Sequence, residues 1–272
     1  MAPDLDLAAV DTAIREVTAA EILPRFRRLA ADEVIEKSPG DLVTAADQQA
    51  EIALTALLRD IVDVPVVGEE AVAADPSLLA VVEEPGAVWI VDPVDGTSNF
   101  VKGSDDFAVM VALVEHGRPV ASWIHHPIAG VTYRAARGEG AWRDDQRLAV
   151  PDAGPAAGSG LDAATVVMKG RYLPAERRDD LMARARASIG TVVPGRWCAG
   201  VEYSDLVEGR TAGVVYWRTL PWDHAPGVLL AAEAGLVAAR PDGTGYHAAD
   251  TTGGLVVATA SLAEPLRMAL FS

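Results

Sequence analysis

The opening part of the chain has the hydrophobic period of two amphipathic helices. Apolar residues recur every three or four positions over residues 7–17 and again over residues 50–58, with a Ser-Pro-Gly break at residues 38–40 between them. This spacing places apolar side chains on one face of a helix. Pro24 has no backbone N–H to donate within a helix, so it is expected to kink or end the first helix.

The middle of the chain changes to strand-like patterns. Short runs rich in β-branched residues occupy residues 64–67 and 87–91. Three further apolar runs, separated by turns that contain glycine, predict an antiparallel meander; they cover residues 107–114, 119–126 and 131–135.

The last third of the chain alternates strands with helices. A segment rich in Pro, Gly and Ala at residues 149–163 marks a boundary between an N-terminal α+β domain, residues 1–150, and a C-terminal α/β domain, residues 151–272. Beyond it, strand-like runs at 165–168, 191–193, 213–216 and 255–259 alternate with helical segments at 175–187, 199–208 and 224–234. This alternation predicts α/β layering, and Ser261 with Glu264 predicts a capping box on the last helix.

Composition narrows the class of protein. The 272 residues are half apolar, and 39 acidic residues against 23 basic ones give a net charge of −16. The apolar content excludes intrinsic disorder, and the charge argues against a nucleic-acid surface, which needs clustered Lys and Arg. No secretory signal and no membrane-length apolar run occurs, because the most apolar stretch, residues 225–239, is short and contains Glu233; it is expected to be a core helix. The single cysteine, Cys198, suits a reducing compartment, so a cytoplasmic protein is expected.

The most informative stretch is Trp-Ile-Val-Asp-Pro-Val-Asp-Gly-Thr-Ser-Asn-Phe at residues 89–100. A strand here runs into two acids, Asp92 and Asp95, with a stiff proline between them and Gly96 free to adopt a positive φ. Such a turn can aim two carboxylates and the Val94 carbonyl at one point, as hard oxygen ligands for Mg²⁺. Taken alone, the same composition is also that of an ordinary turn.

Three other segments carry acids at the ends of predicted elements. Glu69 follows the run at 64–67, Asp223 opens the most apolar helix as a candidate N-cap, and Thr44 with Asp47 forms a candidate helix cap. Each also has a plain structural explanation, either a solvated loop or a cap. The capping interpretation of Asp223 leaves one carboxylate oxygen free, so capping and metal binding are compatible.

In this order and at these separations, the four segments resemble the inositol monophosphatase family of Mg²⁺-dependent, lithium-sensitive phosphatases. The resemblance rests on residues 89–100, on Gly68-Glu69-Glu70 and on Trp222-Asp223, and it extends to a Gly-Glu-Gly-Ala turn at residues 138–141. It implies a layered αβαβα sandwich of the sugar phosphatase type. It also implies a homodimer and a small phosphorylated polyol or sugar as substrate.

The resemblance further implies roles for individual residues. Glu69, Asp92 and the Val94 carbonyl would hold one Mg²⁺, and Asp92, Asp95 and Asp223 a second. A third, weaker ion would lie near Glu69, close to Lys37. Thr97 and Asp47 would orient and deprotonate the attacking water, and the Gly96 and Thr97 amides would bind the phosphate, beside Asp95.

Electrostatics supports this arrangement independently. A phosphate monoester carries about two negative charges and repels an anionic nucleophile, so the site must neutralise charge and generate hydroxide near neutral pH. Four carboxylates carry a charge of −4, which balances the +4 of two Mg²⁺ ions. Without metal the carboxylates repel one another, so Mg²⁺ is expected to stabilise the fold.

The substrate side of the site is less well defined by the sequence. Relatives that prefer inositol phosphate carry a glutamate seven residues before the Trp-Asp aspartate, where this chain has Tyr216, which either stacks on a sugar or packs as part of a strand. His224 is either a proton donor to the leaving group or an exposed first-turn residue. Ala199 and Glu202 lie at the start of a substrate-side helix, with Glu202 contacting hydroxyl groups or lying on a solvated face.

The sequence thus predicts a phosphomonoesterase that hydrolyses inositol monophosphate or a related polyol or sugar phosphate, by in-line attack of a metal-activated water. One alternative is a phosphatase of histidinol phosphate, fructose 1,6-bisphosphate or a 3′-phosphonucleotide. A remote alternative is an interaction protein that keeps the fold without activity.

Overall fold

The first half of the chain builds two helices and a large sheet. A computed structural model describes residues 5–30, 33–38, 41–150 and 160–272. Helices α1 (Leu7–Val17) and α2 (Ala45–Ile61) match the two helical periods, and a π-helical turn at Thr18–Ile22 ends the first helix before Pro24. Between them lies an antiparallel hairpin of β1 (Val34–Ser38) and β2 (Asp41–Thr44).

A seven-stranded sheet contains the predicted meander. Its first two strands are parallel and all later neighbours are antiparallel, in simple sequence order from β3 to β9. The strands are β3 (Val66–Gly68), β4 (Ala87–Asp95), β5 (Ala108–Glu115), β6 (Arg118–His126), β7 (Val131–Ala136), β8 (Gly140–Arg143) and β9 (Gln146–Leu148). Two short helices, α3 (Glu69–Ala74) and α4 (Thr97–Val101), directly follow β3 and β4.

The second half of the chain forms a five-stranded mixed sheet in the order β11-β10-β12-β14-β13. Its strands are β10 (Thr165–Met168), β11 (Thr191–Val193), β12 (Gly213–Tyr216), β13 (Leu236–Ala239) and β14 (Leu255–Thr259). The remaining helices are α5 (Ala175–Ser188), α6 (Ala199–Val207), α7 (Pro221–Glu233) and α8 (Ala260–Phe271).

Alternating side chains of the strands show how the layers stack. In β4, Trp89 belongs to an apolar cluster with α1 and α2, whereas Ile90 belongs to a second cluster that contains α6 and α7. That second cluster also includes Val214 and Val257 of the smaller sheet, whose other face packs against α5 and α8. Successive strand residues point to opposite faces of a sheet, so the order of layers is αβαβα, as predicted.

Three local predictions were wrong, for reasons of chain geometry. Asp223 is not an N-cap, because α7 begins earlier, with Pro221 in its first turn, where a missing N–H costs little. Strand β14 runs straight into α8, so Ser261 lies inside the helix, which has no side-chain cap. The apolar stretch at residues 225–239 is not one helix, since α7 ends at Glu233 and Gly235, at φ +98°, turns the chain into β13.

The division into domains at residue 150 remains a prediction. The larger sheet ends at β9 and the smaller begins at β10, with residues 151–159 outside the described part of the chain. No helix in the described ranges is long and apolar enough to cross a membrane.

Candidate metal centre

The site lies at the end of β4, where the strand's pairing with β5 becomes irregular. The register shifts between Asp92 and Asp95, and the Val94 N–H folds back to donate to the Asp92 carboxylate at 3.0 Å. Gly96 follows at φ +87°, a conformation that side-chain-bearing residues rarely adopt. A Cβ at this position would also lie 3.0 Å from the Asp106 carbonyl oxygen. The chain therefore leaves the sheet sharply and exposes both carboxylates to a cavity of about 430 Å³.

Three acids that are distant in sequence meet in this cavity. Asp92 and Asp95 come from β4, and Asp223 comes from the first turn of α7. One carboxylate oxygen from each lies within 4.8 Å of the others. Glu69, the first residue of α3, lines the same cavity. The structure thus brings together in one pocket the four acids that were predicted to converge: Glu69, Asp92, Asp95 and Asp223.

Mutual repulsion and burial disfavour the charged forms of these acids. Burial raises the pKa of Asp92 well above its ordinary value, and the nearby charges of Glu69 and Asp95 raise it further. Burial, and to a smaller extent the negative charges of Asp95 and Glu69, raise the pKa of Asp223 to about 8. Clustered oxygens that repel one another in the absence of a cation are the donor set that a hard divalent ion prefers. The residues present therefore fit a site for a hard divalent cation.

Asp95 is fixed by the start of α6. The Gly200 N–H donates to its carboxylate at 2.6 Å, and the Cys198 thiol donates to the same oxygen at 3.0 Å. Burial raises the pKa of Cys198, so the thiol keeps its proton and acts as the donor. A Cβ at position 200 would lie 2.7 Å from the Ala108 Cβ, so only glycine allows this approach. Sequence reasoning used Cys198 only as a marker of redox environment and missed this contact.

Thr97 and Asp47 form a second polar unit beside the acids. The Thr97 hydroxyl lies 3.0 Å from the Asp47 carboxylate and 3.0 Å from the Val94 carbonyl oxygen, so its one proton serves one of them at a time. Asp47 also accepts from the Thr44 N–H and hydroxyl, which confirms the predicted capping box of α2. Burial raises the pKa of Asp47 to about 6, against the lowering effect of its hydrogen bonds to Thr44.

His224 is buried rather than exposed, which corrects the expectation from its first-turn position. Its Nε2 lies 3.1 Å from the Arg218 carbonyl oxygen, which only accepts hydrogen bonds, so Nε2 carries the ring proton. Its Nδ1 then accepts from the Tyr203 hydroxyl at 3.1 Å. Burial lowers the pKa of His224 to about 3. Both ring nitrogens of this neutral histidine are occupied, which argues against a proton donor to the leaving group.

Glu202 is likewise buried, so the interpretation as a solvated helix face is wrong. One of its oxygens lies 2.9 Å from the Lys169 ammonium and accepts from the Arg196 N–H at 2.8 Å. Its other oxygen accepts from the Tyr216 hydroxyl at 3.0 Å. Glu202 is not among the residues that line the cavity, and these bonds tie it instead to Lys169 and Tyr216, which are. Tyr216 itself is packed in β12, as the strand interpretation had it, while its ring lines the pocket.

The mouth of the cavity carries residues that sequence reasoning did not assign to the site. Gly96 and Ala199 line the cavity as anticipated, and the Lys37 side chain lies outside the described part of the structure. Besides them, the lining includes a set of aromatic and basic side chains: Lys102, Lys169, Tyr172, Trp197, Trp217 and Arg218. No short motif marks this set, because its members come from separate segments of the chain.

Carboxylates that converge on a polar pocket are the metal-binding groups used by many enzymes that hydrolyse phosphate esters. The model of the Inositol monophosphatase family matches residues 5–271, and the chain belongs to that family. It is therefore a hydrolase of phosphoric monoesters.

Individual relatives agree with this placement. The chain is 34% identical over 224 residues to an inositol-1-monophosphatase of Mesorhizobium japonicum, covering 78% of this chain and 76% of the relative. It is 32% identical over 214 residues to the 3′(2′),5′-bisphosphate nucleotidase CysQ of Escherichia coli K12, covering 75% and 78%. The crystal structure of inositol monophosphatase II from Staphylococcus aureus superposes with a TM-score of 0.79 at 22% identity, covering 97% of this chain and 92% of that one.

Proposed function

We propose that this chain is a Mg²⁺-dependent phosphomonoesterase that hydrolyses inositol monophosphate or a related polyol or sugar phosphate. The observation that carries the proposal is the meeting of Asp92, Asp95 and Asp223 within 4.8 Å in one cavity, with Glu69 on its wall. The inositol-1-monophosphatase relative supports the substrate class.

The residues that would hold metal follow from the donor set. Glu69, Asp92 and the Val94 carbonyl would hold one Mg²⁺, and Asp92, Asp95 and Asp223 a second, with a third, weaker position near Glu69. When bound, these ions neutralise the phosphate and lower the pKa of a coordinated water. The count of two or three ions is part of the proposal.

The protein's own side chains orient and deprotonate the nucleophile. The Thr97 hydroxyl donates to Asp47 and so presents its oxygen to a water proton, which aligns the water for attack on phosphorus. Because the pKa of Asp47 is raised to about 6, its carboxylate is a stronger base than an ordinary aspartate yet is mostly ionised at neutral pH. The Gly96 and Thr97 N–H groups are proposed to donate to phosphate oxygens, and Ala199 and Tyr216 to bound the substrate.

A substrate panel tests the proposal. Release of inorganic phosphate is measured from myo-inositol 1-phosphate, fructose 1,6-bisphosphate, histidinol phosphate and adenosine 3′,5′-bisphosphate, with Mg²⁺ and with EDTA. Asp92→Asn is expected to abolish turnover of every ester, whereas Asp60→Asn, an exposed change on α2, leaves it intact. Hydrolysis of no ester in the presence of Mg²⁺ would contradict the proposal and favour an interaction protein.

A second candidate substrate class is a phosphorylated nucleoside. The aromatic and basic side chains at the mouth of the cavity favour it, and the CysQ relative bears a name of that activity. The same panel separates the two classes by their kcat/KM values.

Three family properties are carried as proposals with simple checks. A homodimer is expected, and sedimentation equilibrium measures it. Lithium is expected to inhibit turnover by occupying one of the metal positions, which a titration at fixed Mg²⁺ tests. A cytoplasmic location is expected, and cell fractionation examines it.

A further inference from the structure

Two aromatic side chains stand exposed at the mouth of the cavity. Trp197 is 42% exposed and Tyr172 is 38% exposed, although large aromatic side chains are usually well buried. Their ring centroids are 6.2 Å apart, and both rings line the cavity. The Lys169 ammonium lies 5.8 Å from the centre of the Trp197 ring. The two rings therefore form an apolar surface next to a cation, within reach of a bound substrate.

The backbone holds Trp197 in a conformation that tryptophan rarely adopts. Its φ is +60°, which is uncommon for residues other than glycine, asparagine and aspartate. Two hydrogen bonds hold the backbone of the preceding residue, Arg196, in place. The Arg196 N–H donates to the buried Glu202 at 2.8 Å, and the Asn99 side chain donates to the Arg196 carbonyl at 2.8 Å. The fold thus maintains an unfavourable backbone in order to present an exposed indole, a pattern found at functional sites.

A second cation lies next to the aromatic pair. The Arg218 guanidinium is 5.1 Å from the Tyr172 ring centroid. Arg218 is exposed, and within the described ranges it forms no salt bridge. The guanidinium is close enough to Asp223 for its charge to favour the ionised form of that acid. It is a positive group at the mouth of the cavity in a chain with a net charge of −16. It is available to an anionic group on the substrate.

These side chains suit a planar heterocycle better than a polyol. A polyol ring presents hydroxyl groups and needs hydrogen-bond acceptors, but the nearby carboxylate of Glu202 is already committed to Lys169, Arg196 and Tyr216. Aromatic faces, by contrast, stack on any nucleobase. Guanidinium groups bind phosphate well.

We infer that Trp197, Tyr172 and Arg218 form a specificity subsite for a nucleoside that carries a second phosphate. The rings contact the base, and Arg218 contacts the phosphate that is not hydrolysed. This inference rests on the proposed phosphomonoesterase function and selects the second of its substrate classes.

The test compares two substrates in matched variants. For Trp197→Gly, which tolerates the positive φ, kcat/KM for adenosine 3′,5′-bisphosphate is expected to fall about 5- to 150-fold, mainly through KM. The value for myo-inositol 1-phosphate stays within about twofold. Trp197→Phe keeps most of kcat/KM for the bisphosphate. Trp142→Phe, a change outside the cavity, alters kcat/KM for neither substrate. Arg218→Gln lowers kcat/KM for the bisphosphate about fivefold or more and leaves kcat/KM for adenosine 3′-monophosphate unchanged.

A binding measurement keeps the subsite testable apart from turnover. In calorimetry with Mg²⁺, adenosine 5′-monophosphate is expected to bind more tightly than ribose 5-phosphate, and Trp197→Gly removes that difference. Equal binding of the two ligands to the unmodified protein would overturn the subsite, as would an equal loss of kcat/KM for both substrates. Tight nucleotide binding without hydrolysis of any ester would support the subsite while refuting the proposed function.

Discussion

Replacing Asp92 by asparagine should stabilise the protein when no divalent cation is present. Asp92 is buried among acids, and its carboxylate accepts one hydrogen bond, from the Val94 N–H at 3.0 Å. The carboxamide oxygen of asparagine can accept the same bond. The substitution therefore removes a charge while keeping the shape and hydrogen bonding of the site.

The size of the effect follows from the distances between the carboxylates. Two unit charges 4.8 Å apart repel by about 3 kcal/mol at an effective dielectric constant of about 20. Asp92 belongs to two of the three pairs formed with Asp95 and Asp223. Burial and the neighbouring acids raise the pKa values of both Asp92 and Asp223, that of Asp223 to about 8, so part of this repulsion is already relieved by protonation near neutral pH. We expect a net gain of about 2–3 kcal/mol, or about 5 °C or more in Tm.

Thermal unfolding in EDTA and in Mg²⁺ measures both parts of the prediction. The unmodified protein should gain about 3 kcal/mol at a Mg²⁺ concentration 100 times Kd, whereas Asp92→Asn should gain little. Asp60→Asn, an exposed change, serves as the control and should follow the unmodified protein in both conditions. The reasoning is refuted if Asp92→Asn melts several degrees below the unmodified protein in EDTA, or if Mg²⁺ stabilises both equally.

Three further predictions concern other parts of the molecule. Thr97→Val removes the hydroxyl proposed to orient water, so kcat should fall about 100-fold or more in phosphate-release assays while Mg²⁺ still raises Tm; unchanged kcat would exclude the role. Gly227→Ala places a Cβ 2.1 Å from the Tyr203 ring and should cost about 1–3 kcal/mol in chemical denaturation. Gly245→Ala, whose Cβ would lie 4.0 Å from the end of the Arg118 side chain, should cost little. Burial lowers the pKa of His125 to about 4, so this histidine is neutral in the folded protein but takes up a proton near pH 6.5 in the unfolded chain. Acidification from pH 6.5 to 4 should therefore remove about 3 kcal/mol from the free energy of unfolding, and His125→Gln should reduce that loss. Equal pH profiles of stability for the two proteins would contradict this.

The acidic half of the candidate site is predictable because the local sequence around each of its residues already indicates their arrangement. Asp92, Asp95 and Gly96 lie in one short segment whose strand, proline and glycine dictate a sharp exit from the sheet. Thr44 and Asp47 form a cap whose spacing is sufficient to identify it, and the structure contains that cap. The layered fold is predictable for a similar reason, because the spacing of apolar residues changes along the chain from a helical period to a strand period.

The substrate side is not predictable in this way, because its geometry depends on contacts between distant segments. His224 is buried with hydrogen bonds to Tyr203 and to the Arg218 carbonyl, and Glu202 is buried in a salt bridge with Lys169. A first-turn histidine and a glutamate on a helix are usually exposed, so local pattern favours the wrong answer for both. The ring of Trp197 reaches the cavity only because its backbone adopts a conformation that no propensity would suggest.

The hydrogen bonds of Asp95 give the protein a route for adjusting ion affinity without altering the pocket. One oxygen of this carboxylate is tethered to the Gly200 N–H and the Cys198 thiol at the beginning of α6. Substitutions elsewhere along α6 that tilt it slightly would re-aim the carboxylate and so tune how firmly a cation is retained. Changes remote from the acidic cluster can thereby alter how the site holds a divalent cation while its lining stays the same.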